Sequence, residues 1–323
     1  METDLVKKTI TTLFAAAGFA LAVGAAKAEP VAYPHKVVTL ITHSSPGAGS
    51  DIFLRELAKQ LPRFINATFV VENVNGGSGA RAMTKIATSK PDGSIFYATT
   101  PTYVFTSLLS KPQHTYKELQ PLVNVFTDPT LLYTRADGPF KSLQDVIAHA
   151  KASRGRWGAS TPASLERQAA ELLRKAAGVN AAVVSHDGGG ELMLNVLNGT
   201  LDFGVGEYLE LRPQLDAGKL RVLATFSDKR LDSLPDVPTV KELGYNVVLR
   251  KYRGLAGPPG LPADVIAIWE KAAQQLLSDP DYLKVVKGEA LIPDFMGQKD
   301  YAAFIAKFAS DSEVFLKENG VIK

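Results

Sequence analysis

From Lys36 onward, short β-branched runs alternate with stretches whose apolar residues recur every three to four positions. This alternation is the signature of βαβ units built into a mostly parallel sheet. Residues 37–41 read as the first strand. A helix follows in which the apolar positions Ile52, Leu54, Leu57, Ala58, Leu61 and Ile65 recur at three- and four-residue spacing, with Ser50 able to cap it and Asp51 in its first turn. Residues 68–72 read as a second strand, and the glycine loop 75–79 opens a helix over 80–88. A turn at Pro91-Asp92-Gly93 then leads into a strand over 94–99. The pattern continues with strands near 122–126, 131–134, 157, 181–185, 201–205 and 220–226. Helices are expected over 143–152, 165–176, 191–197 and 240–243, and three more close the chain at 263–277, 280–287 and 298–318.

The length of 323 residues favours two domains. With no cysteine, the chain has no disulfide, thiolate nucleophile, iron–sulfur cluster or Cys-based zinc site. A net charge of only +3 without a long basic run argues against a nucleic-acid partner. Lys7 and Lys8 precede an apolar stretch over 10–26 that ends in Ala26-Lys27-Ala28, the pattern of a cleavable export signal. Cleavage there leaves Glu29 as the first residue, and no cysteine follows to carry a lipid. A bacterial periplasmic location is expected.

Three strand-to-helix junctions, 44–51, 158–164 and 186–191, are built from Gly, Ser, Thr and Asp. Helix starts present free N–H groups and a positive dipole end, and in open α/β sheets they lie where ligands bind. Such junctions suit an organic anion gripped at both ends, although small residues also serve helix starts in any α/β fold. The run from Gly77 to Ala82 fits GxGxxA, but the acidic residue a dinucleotide site needs about 20 positions on is missing. No window supplies GxSxG, and the five histidines show neither HxxxH nor HExxH spacing. No catalytic residue, metal site or cofactor is therefore assigned. An exported hydrolase remains the rival from another class.

Four blocks in order resemble the periplasmic receptors of tripartite tricarboxylate transporters, the Bug or TctC family. They are SSPGAGSDIFLR at 44–55; VVEN at 70–73 with GGSGA at 76–80 and KPDG at 90–93; HDGGG at 186–190 with NGTLD at 198–202; and AGKLRVLA at 217–224 continuing through LPDVPTVKELG at 234–244 to GLAGPPGLP at 254–262. The resemblance spans the whole exported chain.

It implies an α/β, two-domain periplasmic-binding-protein fold of type II-like form, with the ligand cleft between domains and a two-crossing hinge near 127–131 and 249–253. Domain 1 would comprise 29–128 and 252–323, and domain 2 residues 129–251. The resemblance places ligand contacts on Ser44, Gly47, Ala48, Gly49, Ser50 and Asp51 of the first loop. Opposite them would stand Ser160, Thr161 and Ser164, with Gly188 and Gly189 nearby; Thr100 and Tyr103 are candidates for the cleft wall. His43 and His186, both in cleft loops, can donate to an anion, and Tyr208 can flank an aromatic acid. Asp51 is expected to act through its backbone N–H and a link to Arg55. Relatives usually carry an aromatic residue where this chain has Arg253, in a cluster with Arg250 and Lys251 that is either solvated or in contact with further ligand carboxylates.

The implied function is non-enzymatic: a monomeric receptor closes on a small organic carboxylate and delivers it to membrane transporter components. A sensor feeding a membrane kinase is the alternative in the same fold. Whether the ligand is a dicarboxylate, a tricarboxylate, an amino acid or an aromatic acid stays open.

Overall fold

The computed structural model describes residues 29–318 and 320–323. The expected export signal, residues 1–28, lies outside the described residues. The chain begins with β1 (Val31–Thr42), α1 (Gly49–Gln60), β2 (Ile65–Asn73), α2 (Ala80–Ala87), β3 (Ile95–Thr99), α3 (Pro101–Ser110) and β4 (Gln120–Asp128). It then builds β5 (Thr130–Arg135), α4 (Leu143–Ala152), β6 (Gly155–Ala159), α5 (Leu165–Ala177), β7 (Ala181–Ser185), α6 (Gly189–Leu197), β8 (Phe203–Glu207), α7 (Tyr208–Asp216) and β9 (Leu220–Thr225). It returns as β10 (Lys251–Gly257), α8 (Ala263–Ser278), α9 (Pro280–Gly288), β11 (Ile292–Met296) and α10 (Gln298–Glu318).

Two sheets result. The six-stranded sheet runs β11-β4-β10-β3-β1-β2 and the five-stranded sheet β7-β6-β8-β5-β9. The expectation of mostly parallel sheets needs correcting: β10 is antiparallel to β3 and β4, and β5 to β8 and β9. The cause is the connectivity. β4 passes into β5 of the other sheet through Pro129 alone and β10 re-enters the first sheet from the second, so β5 and β10 enter their sheets from the opposite domain and not through a βαβ crossover. Lys251 pairs with Asp128 and Thr130 with Glu207, so the two chain crossings lie side by side.

Each sheet is covered on both faces. Phe53, Leu54, Leu57, Phe126 and Trp269 fill one side of the first sheet; Ile41, Met83, Tyr97, Tyr252 and Tyr301 fill the other. Around the second, Trp157, Leu173 and Phe203 pack on one side and Leu131, Tyr133, Leu192 and Leu211 on the other. Phe105, Ala163, Leu165 and Leu316 make a smaller cluster that joins α3 and α10 to the start of α5. Among the described residues no helix is long and apolar enough to cross a membrane.

Two helices and a strand escape the periodicity. α3 hides behind Pro101 at its first position, and α7 carries Pro213 inside it. β11 is a five-residue edge strand with its own proline. Residues 240–243 form turns rather than a helix.

Strand β10 sits so tightly between its neighbours that Gly254 admits no side chain. A Cβ there would overlap the Val123 carbonyl and lie 2.7 Å from the Tyr301 hydroxyl, which shares a hydrogen bond with Thr99. Gly254→Ala is expected to cost roughly 3 kcal/mol in urea unfolding, the upper range for overpacking. A loss below about 1 kcal/mol would show that β10 can shift freely.

Candidate ligand cleft

The carboxyl ends of the strands meet between the two sheets, where a small cavity of ≈ 40 Å³ is lined from both sides. The first sheet contributes Ser44, Ala48, Gly49, Ser50, Thr100, Lys251 and Arg253, among others; the second contributes Ser160, Thr161, Gly189, Glu207 and Glu210.

The start of α1 shows how the sequence builds its part. Ala48 occupies the cap position in extended backbone, so Ser50 lies within the first turn instead of capping it. Its freed hydroxyl accepts from Arg253 Nη1 at 3.0 Å. Gly47, at φ +82°, adopts a turn conformation that favours glycine and donates its N–H to Asp51 Oδ2 at 2.9 Å. The same carboxylate accepts from Arg55 Nε and Asn73 Nδ2 at 2.9 and 3.0 Å. Burial alone would raise the Asp51 pKa, but these donors hold it below its ordinary value.

Several predicted contacts are therefore scaffold rather than cleft wall. Asp51 does link to Arg55, but its N–H donates to the Ala48 carbonyl and is not offered to a ligand. Gly47 serves Asp51 and does not line the cavity. Tyr103 is fully buried among Tyr97 and Tyr116 in the core. Ser164 caps α5 by accepting from Arg167 N at 3.0 Å. His186 turns its Nδ1 to the Ala159 carbonyl at 3.2 Å, and the neighbouring Asp187 lines the cavity instead. Gly188 is the cap of α6 and faces Ser45 and Ala48 across the cleft, whereas Gly189 reaches the cavity. Tyr208 packs beside the Leu131–Leu211 cluster, away from the cavity. Thr100 lines the cavity while capping α3, and Ser160 donates to Glu166 Oε2 at 2.9 Å.

The charged groups were harder to foresee. Arg250 stays at the surface, paired with Asp294 and stacked 5.2 Å over Phe304. Lys251 and Arg253 are buried. Lys251 bonds Glu166 and reaches Glu207 Oε1 at 2.5 Å, tying the first sheet to the second. Arg253 Nε meets Asp128 Oδ2 at 2.5 Å. Strand periodicity is the signal that finds this pair: Lys251 and Arg253 share one face of an inner strand whose other face carries the core residue Tyr252. Burial pushes Glu166 up, but the charge of Lys251 outweighs it and leaves Glu166 below its ordinary range. Burial dominates at Glu207, which is raised well above its ordinary value, and at Glu210, which is also raised. His43 lines the cavity too, sharing a 2.8 Å hydrogen bond with the Tyr97 hydroxyl; burial and the charges of Lys251 and Arg253 push it down to about 4, so it is neutral at neutral pH.

Glu210 shows what the helix start can hold. Its carboxylate accepts the Gly49 N–H across the cleft, at the positive end of α1. A two-sheet α/β protein with its cavity between the sheets and two adjacent chain crossings has the architecture of the periplasmic binding proteins. Residues 53–321 match the tripartite tricarboxylate transporter family receptor, and the chain belongs to that family. The UPF0065 protein in the gbd 5'region of Cupriavidus necator is 27% identical over 312 residues, covering 96% of this chain and 95% of its own. The fold is similar to periplasmic binding protein BugD, with TM-score 0.82 and 23% identity over 90% of this chain and 99% of that one. It is also similar to an R. palustris protein solved with adipate, with TM-score 0.84 and 22% identity over 90% and 98% of the two chains.

Proposed function

We propose that this chain is an exported periplasmic receptor that captures a small organic carboxylate by closing two lobes, 29–128 with 252–323 against 129–251, and presents the closed form to a membrane transporter. The carrying observation is that the Gly49 amide at the start of α1 already hydrogen-bonds a carboxylate in the cleft. The relative solved with adipate supports the same ligand chemistry. Ligand bridging both lobes binds the closed form better than the open one, so it shifts the population toward closure by that difference. The protein binds its ligand without converting it.

A thermal-shift screen of the chain from Glu29 onward tests this. Mono-, di- and tricarboxylates, with and without amino groups, are compared with sugars and nucleotides. A carboxylate at 100 times its Kd adds about 2.7 kcal/mol of stability. Stabilisation by sugars or nucleotides alone overturns the carboxylate reading, and turnover of a bound ligand overturns the receptor one.

A further inference from the structure

The cleft gathers more carboxylates than cations. Asp128, Glu166, Glu207 and Glu210 converge on Lys251 and Arg253, four carboxyls for two cations, so two of the four are left without a cation of their own. Asp128 and Glu166 take the direct contacts of Arg253 and Lys251, and Glu207 shares Lys251. Glu210 has no ion pair within 4 Å among the described residues and leans on the Gly49 amide alone. Beside it lies a donor that makes no hydrogen bond: Arg253 Nη2 is buried, and its ion-pair contact is Glu207 Oε2 at 3.6 Å, beyond hydrogen-bond distance. A Cβ built on Gly49 would strike both that nitrogen and the Glu210 carboxylate, so the two groups face the same small space. The Gly49 N–H and Arg253 Nη2 thus offer two converging donors for one carboxylate, and Glu210 occupies only half of their reach.

A plain di- or tricarboxylate entering here would displace Glu210 and bring its remaining carboxylates against carboxyls that already outnumber the cations. An ammonium group on the ligand removes that conflict. We propose that the ligand is a carboxylate that also carries a cationic nitrogen, its carboxylate bound by Gly49 and Arg253 and its nitrogen by the displaced Glu210, which makes Glu210 a specificity-determining residue for amino-carboxylates. This rests on the carboxylate-receptor reading above. The groups facing Glu210 are the Gly49 amide on α1, Lys251 and Arg253 on β10, Glu207 on β8, Glu166 on α5 and Tyr133 on β5, with His43 and Asp187 on the same cavity. Burial keeps Glu210 protonated to higher pH than an exposed carboxyl, so receiving an ammonium requires it to release that proton. Affinity for an amino-carboxylate then rises with pH as Glu210 ionises, whereas affinity for a plain carboxylate falls.

Isothermal titration with matched pairs tests the assignment: glutamate against glutarate, and 6-aminohexanoate against hexanoate, on the wild type and on Glu210→Gln between pH 5 and 8. In at least one pair the amino member is expected to bind the wild type tenfold tighter or more. Glu210→Gln keeps an acceptor for Gly49, so its melting temperature checks the fold while its amino preference drops at least tenfold. Equal or tighter binding of the plain member, or a preference that survives Glu210→Gln, overturns the inference and leaves the receptor reading intact. Failure of every carboxylate to bind overturns both.

Discussion

Lys251→Met is expected to remove about 3–5 kcal/mol of unfolding free energy, the cost of stripping one partner from a buried ion pair. Lys251 is 7% exposed, and its ammonium serves Glu166 and Glu207, themselves only 2% exposed. Methionine fills a similar volume but leaves Glu166 without a cation in a low-dielectric pocket and Glu207 with only Arg253, 3.6 Å away. The pH dependence follows from Glu166. Its folded pKa is depressed, so its stabilising contribution is present above the unfolded value of about 4.5 and is lost as pH falls. Without Lys251 both carboxyls rise, and protonating them relieves the variant, so the deficit against wild type shrinks from pH 8 to pH 5. Urea unfolding at the two pH values measures this. Adding Glu166→Gln and Glu207→Gln to the variant should return most of the loss. A deficit below about 1 kcal/mol at pH 8 would mean that the pair contributes no more than a surface ion pair does.

The same cluster marks where sequence reasoning ran out. Elements with a clean period were legible: α5, with its capping Ser164 and terminal Gly178, begins and ends within a residue of expectation. The glycine-rich junctions were legible as well, because helix starts need small residues and free N–H groups, and Gly49 and Gly189 do line the cavity. The acidic lining was not. Glu166 lies in the first turn of α5, where an acidic side chain ordinarily complements the helix dipole at the surface. Glu207 ends a strand and Glu210 sits three residues on in a proline-containing helix, so no single period joins them. Only the pairing of β8 with β5 and of β10 with β4 brings these residues together, through contacts distant in sequence. Arg250 and Arg253 look alike as sequence, yet one stacks on Phe304 at the surface and the other is sealed against Asp128.

Gly49→Ala separates the binding role of the α1 start from its structural role. Alanine is a better helix residue than glycine by about 1 kcal/mol, so α1 gains propensity. The added Cβ, however, would overlap Arg253 Nη2 and lie 2.9 Å from Glu210 Oε1. Arg253 cannot retreat far, because Asp128 and Ser50 hold its other nitrogens. The methyl group therefore occupies the space where a carboxylate would meet the Gly49 amide, at an overpacking cost of roughly 1–3 kcal/mol in the closed form. At 1.4 kcal/mol per tenfold, that corresponds to a Kd raised about 5- to 150-fold. The ligand-free melting temperature should stay within a few degrees of wild type, since propensity and crowding offset each other. Titration of whichever carboxylate stabilises the wild type reads the effect directly. An unchanged Kd would place the ligand away from the α1 start, whereas a large fall in the ligand-free melting temperature would show that Gly49 serves the packing of β10 more than the cleft.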